Sequence, residues 1–476
     1  MKKINNKTIS RVKRPIRILQ FGDGNFLRGF FDWMIEKTNR KGITNYGIVV
    51  VQPRSKTKAQ KMINQDCMFH VLLEGIERGK RVHEITLVTC IETIINPILE
   101  YDSYEKAFLN PELKLIISNT TEAGIVYTKD ELEASPPVSF PGKMTALLYK
   151  RYLKYQGELS KGLHVLCTEL IEDNASLLKE YIIKHAEENH LPKNFIEWLE
   201  CSCSFYNTLV DRIVPGYPHD ECGYIQEKIG FEDELLVKAE YYHLWVIESN
   251  NKDIRKLLPF DRIGLQVYFT KDLSIFRKRK VRVLNGAHTA LASIGILMGY
   301  STVYEVCSDL LIARFINRLL YREVLPTLEG EEQDSVEFIH QTLDRFANSK
   351  IQHHLRDISL NSLSKWEARN LPTVIDLLVK QEQFHCLLFS LGALIVLYVN
   401  PELTFFPLED EDKLKNLRSC FEKNSIEKAI NLIICNKQIW NVDMSVLQPY
   451  TLELSNYVQG ILKKGIKNAL VELLVE

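Results

Sequence analysis

Three observations predict an α/β N-terminal domain built on a parallel sheet, followed by a mainly α-helical C-terminal domain. Through the first half of the 476 residues, short β-branched runs alternate with helical stretches, the pattern of strands joined by crossover helices. The first of those runs ends in a glycine-rich turn that leads straight into an amphipathic helix. From about Thr270 onward the strand signal fades, and Ser301 to Leu328 and Leu452 to Leu474 read as helix after helix. The expected domains are therefore residues 1–271 and 272–476. Each is large enough for a core of its own at a prior of roughly 150 residues per domain.

In chain order, the expected strands are Ile16 to Phe21, Tyr46 to Val51, Leu113 to Ser118 and His164 to Thr168. The helix after the first strand carries two apolar stripes, Phe26, Phe30 and Met34 beside Leu27, Phe31 and Ile35, so one side of it is expected to pack on the sheet. A Rossmann-like fold places its dinucleotide fingerprint between these two elements. Gly22 would allow the tight turn, Gly24 would let the backbone approach a pyrophosphate, and the helix start would offer unpaired N–H groups to the phosphates. The expected cofactor-binding residues are Ile18, Leu19, Gln20 and Phe21 of the strand, Gly22, Asp23, Gly24 and Asn25 of the turn, and Phe26, Leu27, Arg28 and Gly29 of the helix. The usual third glycine would fall on Leu27, with Gly29 the nearest small residue, and a plain strand-to-helix turn can carry the same letters.

The second strand of such a fold usually ends in a carboxylate that holds the ribose 2′-hydroxyl of NAD. Here Val51 is followed by Gln52, Pro53 and Arg54. Gln52 can accept a ribose hydroxyl, whereas Arg54 or Lys56 can pair with the 2′-phosphate of NADP, so local chemistry leaves both cofactors open. Glu169, just past the fourth strand, is expected at the carboxyl edge of the sheet, where ligands of open α/β sheets bind.

Composition excludes several function classes. With 60 Lys+Arg against 61 Asp+Glu the net charge is -1, so no large field favours nucleic acid or an anionic membrane as partner. The basic N-terminus, Met1 to Arg14, has no apolar segment of a secretory signal, which predicts a cytoplasmic protein. The longest apolar run, Cys386 to Val399, falls short of the ~20 residues needed to span a bilayer and reads as a buried helix. Ten scattered cysteines without a C-x-x-C pair imply neither a disulfide framework nor a metal. What remains is chemistry on a small molecule by a monomer or weak oligomer.

The candidate catalytic residues lie in Lys280-Val-Arg-Val-Leu-Asn-Gly-Ala-His288. At about 100° per residue on an α-helix, with Lys280 at zero, His288 falls near 80° and Asn285 near 140°. A proton donor, an amide and an imidazole could thus converge on one carbonyl or hydroxyl without a metal. The same spacing also suits an amphipathic helix whose polar side faces water. Arg277, Lys278, Arg279 and Arg282 stand beside Lys280, and such a cluster of like charges is expected to ease the loss of its proton.

Four runs carry a resemblance that extends over nearly the whole chain. They are Ile18 to Arg28, Ser118 to Ile125, Thr208 to Val214 with Gly216-Tyr-Pro218, and Lys280 to Leu291, supported by Arg345-Phe-Ala-Asn348 and Leu360 to Pro372. In them the chain resembles the mannitol dehydrogenase family of long-chain, metal-independent polyol dehydrogenases, whose signature is Lys-x4-Asn-x2-His. The resemblance implies reversible hydride transfer with NAD(H), and within the family it points to a hexuronate substrate rather than a plain polyol. It implies that Lys280 is the acid/base and that Asn285 and His288 hold the reacting oxygen. A substrate carboxylate calls for a positive group outside that trio. Lys365 and Arg369, one helical turn apart in the stretch where the family places substrate contacts, are the candidates. Asn207, Asp211 and Arg212 are further candidates for sugar hydroxyls or the cofactor, although Asp211 and Arg212 could equally form a structural ion pair. A non-catalytic nucleotide sensor would have no need of the trio.

Overall fold

The computed structural model describes residues 1–52, 56–120, 124–250, 253–351, 353–400 and 408–475, and of 56–58 the backbone alone. The chain divides into two compact units, residues 1–74 with 81–273, and residues 75–80 with 274–476.

The first unit is organised by six parallel strands: β1 (Ile16–Phe21), β2 (Gly47–Val51), β3 (Ile91–Ile95), β4 (Leu115–Ser118), β5 (His164–Cys167) and β6 (Ser204–Tyr206). Their spatial order is β3-β2-β1-β4-β5-β6, that of a doubly wound dinucleotide-binding sheet. The four strands expected from the sequence are β1, β2, β4 and β5, with ends trimmed by at most two residues. Strands covered by helices on both faces must be apolar on both, which explains runs such as Ile48-Val-Val-Val51. Alternate residues accordingly enter different cores. Ile18, Ile48, Val50, Leu115 and Ile117 face one, while Leu19, Val49, Val51, Ile116 and Val165 face the other.

The first core is closed by helix α1, in which Asn25–Leu27, a π turn at Arg28–Asp32 and Trp33–Arg40 follow without a break. Both of its apolar stripes are buried there, with Phe30 and Phe31 lying 5.7 and 5.8 Å from Trp245. The second core is closed by helices that include α2 (Asn174–Glu188). Two three-stranded sheets flank the main one. One joins Val237–Glu240, Phe69–Glu77 and Lys80–Val88, and the other Thr208–Asp211, Leu244–Glu248 and Val267–Thr270.

From residue 274 onward no strand is present among the described residues, and helix packs on helix. Its elements include α3, formed by Ser274–Arg279, a π turn at Lys280–Gly286 and Ala287–Leu297, then α4 (Glu332–Phe346), α5 (Ser362–Arg369), α6 (His385–Val399) and α7 (Thr451–Lys464). The apolar run at Cys386 is the central helix α6, buried from Cys386 to Tyr398 between α3 and α7. Trp366 Nε1 of α5 donates to Ser390 Oγ of α6 at 3.0 Å, which satisfies two polar groups inside that core. Among the described residues, no helix is long and apolar enough to cross a membrane.

Candidate active site

The glycine turn sits where the strand order reverses, between β1 and β4. Gly22 has φ +120°, and a Cβ there would come within 2.9 Å of the Asn119 carbonyl at the end of β4. Only glycine fits that conformation and that gap. At Gly24, by contrast, a Cβ would meet nothing within 4 Å. Among the described residues no side chain caps the helix start at Gly24, so the first turn of α1 leaves its N–H groups without a side-chain partner there. This is the chemistry of a pyrophosphate cradle, and the residues present fit one. Leu27, in the place of the usual third glycine, is buried in the first core. Gly29 takes over the close-packing role, since a Cβ there would lie 3.1 Å from Val237 Cγ1 and 3.2 Å from Val214 Cγ1.

Beneath the turn, the polar side chains are directed into the protein. Gln20 Nε2 donates to the Gly22 carbonyl at 3.0 Å and to Asp32 Oδ2 at 3.4 Å. Burial raises the Asp32 carboxyl to about 7, against the opposing pull of Gln20 and Arg28. Arg28 does not reach out to a ligand. Its guanidinium donates to the Leu235 carbonyl at 2.5 Å and to Asn25 Oδ1 at 2.6 Å, over the Phe69 ring. Phe26 stacks on Phe30 at 4.9 Å.

Three other expected residues have polar atoms already engaged within the protein. Arg212 serves the fold rather than a substrate: it donates to the carbonyls of Glu240, Tyr242, Tyr241 and Gly29 while lying 4.4 Å above the Trp33 ring, and burial lowers it to about 9. Asn207 caps helix α2, its Oδ1 accepting from the backbone N–H of Ala175 and Ser176. Its amide nitrogen donates to Ser176 Oγ and Glu248 Oε2, so both ends of the side chain are engaged within the protein. Glu169 accepts from Ser118 Oγ, Thr120 N and Thr120 Oγ1, bracing the ends of β4 and β5. Asp211 is buried on its strand opposite Leu244. Gln52, at the end of β2, is buried. Arg54 and the side chain of Lys56 lie outside the described residues.

The second unit carries the trio, and its backbone departs from the helix assumed for the sequence. Lys280–Gly286 is a π turn. Such a turn takes about 4.4 residues, roughly 80° each. Asn285 then falls about 40° to one side of Lys280 and His288 about 40° to the other. The span of the three contracts from about 140° on an α-helix to about 80°. Lys280 and Asn285 are half-buried and His288 is buried. Gly286 is required by packing, because a Cβ would lie 2.8 Å from Asn370 Oδ1. The neighbouring cations are not an unpaired cluster: Lys278 bridges Glu329 and Asp376, Arg282 pairs with Asp376 at 2.6 Å, and Arg279 with Asp334 at 3.8 Å.

His288 lies 4.6 Å from Phe346 of α4 and 4.8 Å, edge to face, from His353. Burial lowers its pKa well below the usual imidazole value, reinforced by His353, Arg345 and Arg369. His353 is itself lowered to about 4 by burial and Arg345. Both rings are therefore neutral near pH 7. On α5, burial lowers Lys365 and Arg369, and Lys365 is lowered further by the charge of Arg369. Lys365 Nζ donates to the Ile358 carbonyl at 2.8 Å. Arg369 Nη1 donates to Thr289 Oγ1 at 3.1 Å, and that hydroxyl donates to the Asn285 carbonyl at 2.9 Å, which ties α5 to α3. The sequence reading assigned no role to His353, Arg345 or Asp32. The readable signal for Asp32 was a lone carboxylate inside Phe30-Phe-Asp-Trp-Met34.

Comparison with known proteins agrees with this arrangement. Residues 16–258 match the model of the mannitol dehydrogenase Rossmann domain and residues 272–461 that of the mannitol dehydrogenase C-terminal domain. The chain is 36% identical to the altronate oxidoreductase of Phocaeicola vulgatus over 98% of both chains. It is also 36% identical to that of Bacillus subtilis over 100% of this chain and 99% of the other, and 35% identical to that of Escherichia coli O6:K15:H31 over 98% and 99%. Its fold is similar to that of a substrate-free D-sorbitol dehydrogenase, with a TM-score of 0.80 and 21% identity over 96% of this chain and 95% of the other. Pseudomonas fluorescens mannitol 2-dehydrogenase, in a ternary complex with NAD and D-mannitol, gives 0.73 and 19% over the whole of both chains. Fold, glycine turn, Lys280/Asn285/His288 motif and full-length relatives together place this chain in the mannitol dehydrogenase family.

Proposed function

We propose that this chain is an NAD-dependent oxidoreductase that interconverts D-tagaturonate and D-altronate, a step in galacturonate breakdown. The observation that carries the reading is the pairing, within the second unit, of a π-turned Lys280/Asn285/His288 face with the half-buried cations Lys365 and Arg369. In this reading residues 1–271 hold the cofactor and residues 272–476 handle the proton and the substrate. The nicotinamide supplies or accepts the hydride when bound. Lys280 gives a proton to the ketone oxygen in reduction and takes it back in oxidation. Asn285 donates its amide hydrogens to the same oxygen as negative charge develops there. His288, kept neutral by burial and by the cations around it, holds that oxygen or the adjacent hydroxyl without adding a charge. Lys365 and Arg369 pair with the substrate carboxylate, a contact that a plain polyol cannot make.

The deciding experiment incubates the purified protein with tagaturonate, fructuronate and mannitol, each with NADH or NAD and with the corresponding phosphorylated cofactor. Preferential turnover of tagaturonate with NADH supports the reading. Preference for fructuronate would reassign the substrate within the hexuronates. Turnover of mannitol alone would overturn the role given to Lys365 and Arg369. A preference for NADPH would move the cofactor reading to the basic residues that follow Gln52.

A further inference from the structure

Asp32 is a fully buried carboxyl group in the π turn of α1, and its side-chain partner is the equally buried Gln20 of β1. The Gln20 amide nitrogen has two hydrogens. One goes to the Gly22 carbonyl at 3.0 Å and the other to Asp32 Oδ2 at 3.4 Å. On the other side of the same pair, Gln20 Oε1 and Asp32 Oδ1 are both buried and without a hydrogen-bond partner among the described residues. Two unsatisfied acceptors on neighbouring buried groups are costly, more so when one carries a charge. Protonation of Asp32 turns one acceptor into a donor and removes the charge.

The surrounding groups do not neutralise an ionised Asp32 by direct contact. Arg28, on the same helix, is the cation whose field favours the charged form, but its Nη1 and Nη2 donate to Leu235 and Asn25 rather than to Asp32. Arg212, just past the strand that pairs with Leu244–Glu248, reaches the Gly29 carbonyl. Cys90, just before β3, donates its thiol to the Asp32 backbone carbonyl, and burial holds that thiol protonated.

We propose that Asp32 is a positioning residue for the nucleotide turn, a neutral hydrogen-bond donor that orients Gln20 so that its amide holds the Gly22 carbonyl and the +120° turn. The proposal rests on the reading of Gly22 to Asn25 as the pyrophosphate cradle. An ionised Asp32 would attract the Gln20 amide more strongly and draw it away from the Gly22 carbonyl. It would also set a buried negative charge beneath an anionic ligand. Dinucleotide binding is therefore linked to the proton on Asp32. Affinity falls as pH rises through about 7, and binding above that pH takes up a proton.

The test is NADH binding to the full chain, followed by nucleotide fluorescence from about pH 6 to about pH 8.5, with calorimetry in buffers of different ionisation enthalpy to count protons. The wild type should weaken about tenfold across that range and take up a proton at its upper end. Asp32→Asn keeps a donor for Gln20 and cannot ionise, so it should bind tightly with a flat pH profile. Asp32→Ala should bind about tenfold more weakly at every pH, the loss of one buried hydrogen bond. Should Asp32→Asn fail to fold, Gln20→Leu provides the second arm, with weaker binding and no step near neutrality. Identical pH profiles for wild type and Asp32→Asn, or a flat wild-type curve with tight binding, would overturn the proposal alone. Absence of NADH binding at any pH would overturn it together with the cofactor reading.

Discussion

Helix α1 starts at the glycine turn, α3 carries the Lys280/Asn285/His288 motif, and both contain a π turn, yet they use it in opposite ways. In α1 the turn spans Arg28–Asp32 and buries all five of its residues, so charged groups end inside the protein holding backbone in place. In α3 the turn spans Lys280–Gly286 and leaves Lys280 and Asn285 half-exposed in a narrow row. In the proposed function the first helix offers main-chain N–H groups to a ligand, so its demands fall on glycines and hidden polar side chains. The second offers side chains, so its demands fall on the identity of three residues. A π turn is a frequent mark of function. Whether it stiffens a backbone or lines up side chains depends on which of its residues face the core.

The sharpest way to break this contrast is Lys280→Ala. It removes the proton carrier and should reduce turnover by about a thousandfold, while NADH binding measured by fluorescence stays within about twofold of wild type. Normal turnover would end the assignment of α3 as the catalytic helix. Gly22→Ala tests the other helix. A Cβ at φ +120° and 2.9 Å from the Asn119 carbonyl should weaken NADH binding by more than about tenfold and lower Tm, because strain of this kind costs on the order of 1–3 kcal/mol.

Smaller effects sharpen the comparison. Arg369→Ala should raise KM for a ketouronate by about tenfold to a hundredfold, the loss of one charge-assisted hydrogen bond, with a smaller change in kcat. An equal loss on mannitol would show that the arginine serves packing through Thr289 and not the carboxylate. Arg212→Lys should instead lower Tm, since an ammonium cannot reach four carbonyls at once, and should leave KM per folded molecule unchanged. The histidines beside α3 set a pH dependence. The folded-state pKa of His353, about 4, lies below the ordinary value near 6.5, so in that window the unfolded chain binds a proton that the folded chain does not. Stability contributed by neutral His353 is present above about pH 6.5 and is lost as pH falls towards 4. Tm measured over that range should fall more steeply for wild type than for His353→Phe.

Much of the architecture was legible from residue pattern alone. β1, β2, β4 and β5 follow from apolar runs bounded by turn residues, and α6 from a mostly apolar stretch too short for a bilayer. These are local properties, since period and length decide them whatever the neighbours are. The glycine turn was legible for the same reason, because a positive φ is a property of one residue. The fates of Asn207 and Arg212 were not legible. Both sit in a family-like run, but a carboxamide or a guanidinium will satisfy whatever donor or acceptor the fold brings near it, and only the packed structure supplied the start of α2 and four carbonyls.

The trio divides along the same line. Its identity and order are local facts, written in the nine residues from Lys280 to His288. Its alignment is not, because an α-helix and a π turn share one hydrogen-bonding vocabulary and differ by one residue per turn, a difference too small for apolar periodicity to reveal over so short a span. Tertiary packing goes with the π turn, with Gly286 against Asn370, Arg282 held by Asp376, and His288 between Phe346 and His353. The identity of the residues was thus legible. Geometry had to come from the fold, because it depends on what distant segments press against them.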